Sequence, residues 1–514
     1  MSRKAVDLPG ALTGLFRLLF AVCFTFVIAS VLFRGAGRSA EQRAVSAAGT
    51  AVCLAVLCLL ARLAGRHERV LEENYHKILA VFSAAMFTLE LLFALALRHG
   101  TWHDVGALHQ GAAEWAETGT FAGFYEYYGY FPNNLGGMAF LYVFFKAASL
   151  AGFTDYYAAA SLAACVMLTS MMAVVSLICR RLAGAVSAVL LLAVFALSAQ
   201  FWVLGGAVYT DTLSMLFPVL IFYLYLLSRE RKGRKKACLY LLMGLATGVG
   251  SLNKVTVLIM VIAVLADAGL RLERKELLKL AACTLGAAAA MNLALNAYMY
   301  SAHLSREEAV RHNTPLLHWV MMGLRGDGRY NPEDYVFTRS LAPEQRNAAL
   351  LEEIGRRVAG RGVTGMLDLF SQKSAIDFGD GTYGADDFLK IYPERDTVLH
   401  DFVLKDGRFY WLYGGYTTAL HIALMLSMLI AAYRHIAGGA REREDGDLLL
   451  PLYLAVFGVW LFLMFWEASP RYFSNFAPVI IVCGVLGIPR AGAAAVKPAG
   501  GRTEPGEGSA PPAP

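Results

Sequence analysis

The chain has 514 residues, 57% of them hydrophobic and only 17% charged. So little polar surface cannot clothe a water-soluble globule, and the composition implies a polytopic membrane protein. The net charge of +6 is gathered in short runs such as 229–236 (RERKGRKK), which fit membrane orientation better than nucleic-acid binding and imply no soluble polyanionic partner.

Crossing a hydrocarbon core of about 30 Å takes roughly 17 to 25 apolar residues. That length predicts helices near 12–33, 45–64, 77–97, 156–179, 184–204, 212–228, 277–300, 410–433, 448–466 and 472–489. The first, preceded by Ser2, Arg3 and Lys4, lacks a small-residue cleavage site and reads as an uncleaved signal anchor. Residues 237–270 are too long for one span and basic on both flanks, so they predict a hairpin of two helices turning near 251–254. The apolar segment 136–152 is interfacial or re-entrant if the charge rule holds on both of its sides. The fold class is therefore an all-α polytopic membrane protein with about 12 transmembrane helices.

Lys and Arg collect at 62–77, 180–181, 229–236, 271–275 and 434–443, whereas 98–135 carries Arg98 against Asp104, Glu114, Glu117 and Glu126. This asymmetry places both termini in the cytoplasm of a cell-membrane protein, with loops 98–135, 205–211, 301–408 and 467–471 outside. Five parts result: an N-terminal transmembrane pair (1–76), a transmembrane module with the first outer loop (77–300), an extracytoplasmic cap loop (301–408), C-terminal helices (409–489), and a cytoplasmic tail (490–514) whose Ala, Gly and Pro content predicts disorder. The eight cysteines lie in or beside apolar spans, so they read as core residues, and neither a disulfide framework nor a zinc cluster is expected. The cap is long enough to be functional or a small domain. A helix is expected around 343–359, and 312–335 has the amphipathic patch and Gly-rich turn of a lid.

The first outer loop is the most informative segment. Val105, Leu108, Ala112, Trp115 and Ala116 share one helical face, with Gln110, Glu114 and Glu117 opposite, which predicts a helix lying flat at the membrane surface. Asp104 opens it, either as its N-cap or as a general base toward an acceptor hydroxyl or amine. Residues 121–134 (FAGFYEYYGYFPNN) hold seven aromatics in fourteen positions; an interfacial belt and a carbohydrate site use the same residues, and Tyr130, Asn133 and Asn134 are the candidates for sugar contact. Asp211 is either a helix cap or a ligand beside Asp104. His103 and His109 have no third partner at metal-ligand spacing, and His318 beside Trp319 is a further candidate for substrate contact.

Taken in order, an Asp opening the first loop helix, the Tyr130–Asn134 segment, Tyr209-Thr210-Asp211, Lys254 in a Gly-rich hairpin and Pro470-Arg471-Tyr472 before the last helix resemble the GT-C glycosyltransferases. The likeness is to bacterial relatives of the protein O-mannosyltransferases and aminoarabinose transferases, over about residues 77–489. It implies a GT-C fold and an inverting transfer of a sugar from a polyprenyl-phosphate carrier to an extracytoplasmic acceptor, with Asp104 as the base and Arg471 at the lipid phosphate. Lys254 could share the phosphate, and Tyr472, Tyr130, Asn133, Asn134, Asp211 and His318 complete the candidate substrate contacts. Val105 stands where the family's second carboxylate follows the first, and Pro132-Asn133-Asn134 where many members carry His-Pro-Pro. A leaving phosphate gathers negative charge and needs a placed cation; Arg471 could equally snorkel against Glu467, and Lys254 could be a structural ion pair.

The implied partners are membrane lipid, a lipid-linked sugar as co-substrate, and a polysaccharide, protein or lipid acceptor, with no nucleic acid. No nucleotide-binding loop is visible, no metal ligand set is assigned, and involvement of a divalent cation is left open. A flippase or transporter of lipid-linked sugar or envelope polymer, without bond chemistry, is the rival class. A polymer-assembly scaffold is the third.

Overall fold

Helices form wherever the apolar stretches predict them. The computed structural model describes residues 8–35, 37–438 and 446–489; among these, regular structure is helical throughout, apart from one isolated antiparallel bridge between His99 and Pro393. The expected tail 490–514 and the basic residues Arg441 and Arg443 lie outside the described residues.

Among the described residues, seven helices are long and apolar enough to cross a bilayer: Gly10–Arg34, Ala40–Arg66, Glu68–Ala96, Tyr156–Leu197, Thr210–Ser228, Arg274–Ala302 and Tyr410–Ala437. The last is the central pole, with 83% of its apolar window buried, while Glu68–Ala96 and Arg274–Ala302 bury 17% and form the rim. The remaining expected spans are also helical, yet Leu258–Arg271, Leu450–Phe465 and Ala477–Gly487 are too short to qualify by length, and Gly233–Asn253 opens on a basic turn that dilutes its hydropathy.

Tyr156–Leu197 is two helices folded on each other. Gly184, at φ +82° and ψ 176°, takes a left-handed conformation open to a residue without Cβ, and the chain reverses there. The Ser176 hydroxyl consequently donates to the Ala188 carbonyl at 3.4 Å, although twelve residues of straight helix would separate them by about 18 Å. The two spans expected at 156–179 and 184–204 are these two arms. The 237–270 hairpin is also present, as Gly233–Asn253 and Leu258–Arg271 joined through a short turn at 254–257.

Loops assigned by charge to a common side meet in space. At one end Arg98 pairs with Asp155 (2.6 Å) and Glu394 (2.8 Å), His99 Nε2 lies 3.1 Å from the Gly206 carbonyl, and Lys254 pairs with Asp211. At the other end Arg180 pairs with Glu72, Arg181 with Glu230, Lys236 with Glu276, and Arg17 with Asp447. At this end basic residues are thus tied to carboxylates of neighbouring helices and loops by ion pairs.

The 301–408 segment is an ordered cap. The helix expected near 343–359 is the first arm of Pro343–Phe378, which breaks at Gly362 (φ +61°) into a second arm. Asp334 is buried and receives Arg357 at 2.7 Å and Arg325 at 2.9 Å, which joins the short lid helices to the first arm. The same network, led by hydrogen bonds from Arg356, holds the Glu353 carboxyl down at about 2.

Candidate functional site

The helix His103–Thr118 positions the first functional group. Its apolar face is buried as the spacing predicts, at Val105, Leu108, Ala112, Trp115 and Ala116. Its start is strained: His103 has φ +49° and stacks on Trp102 at 4.1 Å. Left-handed non-glycine residues cost energy and persist where the surroundings over-determine them. The other two such residues among those described, Tyr383 and Tyr392, lie in the 301–408 segment; Tyr392 is beside this loop, where the Gly100 N–H donates to its carbonyl at 3.0 Å and Trp102 lies against its ring.

Asp104 is not an N-cap. That place belongs to Trp102, and the Asp104 carboxylate turns away from its own helix to receive the Tyr127 hydroxyl at 2.7 Å and the Tyr209 hydroxyl at 3.4 Å. Tyr127 in turn accepts from Asn134 Nδ2 at 2.5 Å. Burial pushes both phenols above their ordinary range, so they stay protonated and donate to the carboxylate. The aromatic segment therefore contributes Tyr127 and Asn134 to the setting of Asp104, whereas Asn133 reaches only Asn134 (3.3 Å).

Arg471 also meets Tyr209. Its guanidinium lies 5.2 Å from the Tyr209 ring centre, 5.1 Å from that of Tyr472 and 6.0 Å from that of Phe388. Among the described residues no carboxylate lies within ion-pair distance of it. A partly exposed cation walled by aromatic faces, with Asp104 and Glu467 near it but no described carboxylate at ion-pair distance, is suited to an incoming anion. The alternative, an ion pair with Glu467, does not form; Glu467, buried at 6% exposure, instead accepts the Tyr472 hydroxyl at 2.9 Å. Burial raises its carboxyl above the usual range, and the nearby Asp104 charge adds to that.

Asp104, Arg471 and Glu467 share one cavity of about 790 Å³ beneath the cap, whose wall also includes Arg38, Arg329, Tyr330, Asp380 and Trp411. Other expected residues fall elsewhere. Lys254 is committed to Asp211, whose side chain is 3% exposed, and stands 5.1 Å over the Tyr472 ring; it is an ion pair behind the site, and Asp211 is neither a cap nor a cavity residue. Tyr130 is covered by Arg339 (3.9 Å) and His312 (5.2 Å) under the lid. His318 is buried in the cap, with Nδ1 2.7 Å from the Thr338 hydroxyl, and burial lowers it to about 4. Both belong to packing beside the cavity.

Sequence reasoning did not single out Tyr127, Glu467, Arg38 or Arg329 as site residues. For Glu467 a signal existed, a lone carboxylate between two apolar stretches; the others need the folded loops to reveal them. Among the described residues no group of three His, Cys, Asp or Glu is placed to hold a metal ion, so no step is assigned to one.

Arg471 thus presents a guanidinium and Asp104 a carboxylate on the wall of one cavity, and both contact Tyr209. A comparison with curated proteins finds no match. The family model described as "Conserved hypothetical integral membrane protein" matches residues 8–492, nearly the whole chain, which therefore belongs to that family of integral membrane proteins.

Proposed function

We propose that the chain is a GT-C-type membrane glycosyltransferase that moves a sugar from a polyprenyl-phosphate carrier to an acceptor, with inversion. The observation that supports this most is the meeting of Asp104 and Arg471, both in contact with Tyr209, on the wall of one cavity. In this reading the bundle crosses the cell membrane about 12 times, both termini are cytoplasmic, and the cavity opens on the outer face.

Asp104 takes the proton of the acceptor hydroxyl or amine. The freed electron pair attacks the anomeric carbon, the bond from that carbon to the phosphate oxygen breaks, and polyprenyl phosphate departs with the electrons. Arg471 meets the charge that develops on the leaving phosphate. Tyr127 and Tyr209 hold the carboxylate toward the cavity, a positioning that general-base transfer requires. Lys254, neutralised by Asp211, supports Tyr472 and leaves the phosphate to Arg471.

The test uses the purified full chain in lipid discs with a synthetic polyprenyl-phosphate sugar. Asp104→Asn should lower transfer by about 10²- to 10⁴-fold, the usual contribution of a general base, with donor binding retained. Full transfer by the variant removes the base. Movement of intact lipid-linked sugar across proteoliposomes, with no bond broken, favours the flippase instead.

A further inference from the structure

The segment that carries Glu467 and leads to Arg471 is held from the cap. Helix Leu450–Phe465 ends with carbonyls that have no partner in their own helix. Lys373, on the second arm of Pro343–Phe378 and fully buried, supplies it: its ammonium donates to the Met464 carbonyl at 3.0 Å, to the Trp466 carbonyl, and to Gly323 of the lid at 3.1 Å. An ammonium has three donors, and all three are used. A cation here also complements the negative end of the helix dipole.

One turn further along the same arm, Asp377 accepts the Ser469 backbone N–H at 2.8 Å. Between these two anchors the Ala468 N–H donates to the Gly328 carbonyl at 2.7 Å. Apart from the bonds Tyr472 makes to Glu467 and Ser469, these fixed points of residues 464–469 come from the cap. Burying an ammonium and a carboxylate is expensive and persists when hydrogen bonds compensate. Here they compensate by fixing the loop that carries Glu467 and Arg471 into the cavity wall.

We infer that Lys373 and Asp377 are positioning residues: they clamp the 466–469 loop so that Glu467 and the Arg471 guanidinium face Asp104, which makes the cap a structural part of the anion site. This rests on the reading that Arg471 receives the lipid phosphate, and the experiment separates the two.

Binding of a short-chain polyprenyl phosphate to the full chain in lipid discs is measured for the unsubstituted protein, Asp377→Ala, Asp377→Asn, Lys373→Met and Arg471→Gln, with thermal midpoints recorded for each. Asp377→Ala and Lys373→Met should weaken binding by about ten-fold or more, the scale of one lost charged hydrogen bond. Asp377→Asn retains an acceptor for Ser469 and should bind within about three-fold of the parent, a rescue that loss of stability alone would not give. If Lys373→Met fails to fold, the Asp377→Ala and Asp377→Asn pair decides. Folded Asp377→Ala with parental affinity, alongside a weakened Arg471→Gln, overturns the clamp and leaves the anion site. Unchanged binding by Arg471→Gln, or none by the unsubstituted chain, overturns both.

Discussion

Replacing Arg471 with Gln tests the anion site most directly. A guanidinium on a phosphate forms two charge-assisted hydrogen bonds of about 1.5–3 kcal/mol each, and glutamine restores one neutral bond of about 1 kcal/mol, so the net loss is about 2–5 kcal/mol. The three aromatic faces around the guanidinium, at 5.1 to 6.0 Å, act on the cation with or without ligand. Their contribution largely cancels in binding and shows instead as a modest loss of stability. A central loss of about 3 kcal/mol corresponds to roughly 150-fold weaker binding. Calorimetric titration of a short-chain polyprenyl phosphate into the protein in lipid discs, at fixed salt, measures it. The uncharged polyprenol serves as control and should bind parent and variant alike. Affinity for the phosphate within three-fold of the parent, in a folded variant, would refute the assignment.

Three further outcomes follow from the geometry around the site. Lys254→Met strands Asp211 as a buried, uncompensated carboxylate and should cost about 3–5 kcal/mol, whereas Lys254→Met with Asp211→Leu should recover most of that in thermal unfolding; a double variant as unstable as the single one argues against the pair. In Gly136→Ala the new Cβ would sit 2.0 Å from the Leu252 carbonyl oxygen, a backbone contact that cannot rotate away, so the thermal midpoint should fall by the equivalent of about 1–3 kcal/mol or more. His318 titrates near 4 when folded and near 6.5 when unfolded. The unfolded chain therefore takes up the proton first, and the stability His318 contributes is complete above pH 6.5 and declines as the pH falls toward 4. The loss reaches about 3 kcal/mol, and the difference in thermal midpoint between parent and His318→Gln across that window reports it.

Helix positions and their alternation between two ends were legible from apolar run length and from the placement of Lys and Arg, because a bilayer penalises polar groups in its core and biases cations to one side. The buried face of 103–118 was legible for the same kind of reason, since a helix repeats its contacts every three or four residues. Residue roles were read less well. Lys254 and Arg471 look equivalent as cations in an apolar chain, yet one finds a carboxylate across the fold and the other does not. Tyr130 and Tyr127 are three residues apart in one aromatic run; one is sealed under Arg339, and the other orients Asp104.

What the sequence by itself determined is local: which stretches are helical, which of their faces are apolar, and which loops share an end. Only the tertiary structure decided which charges are spent on each other and which remain free. That depends on contacts such as Lys254 with Asp211 and Lys373 with the carbonyls of Met464 and Trp466, between residues about forty to ninety positions apart. Hydrogen bonds and close ion pairs form only when the groups come within a few ångströms, so a side chain's partner is set by packing, and neither periodicity nor composition records it.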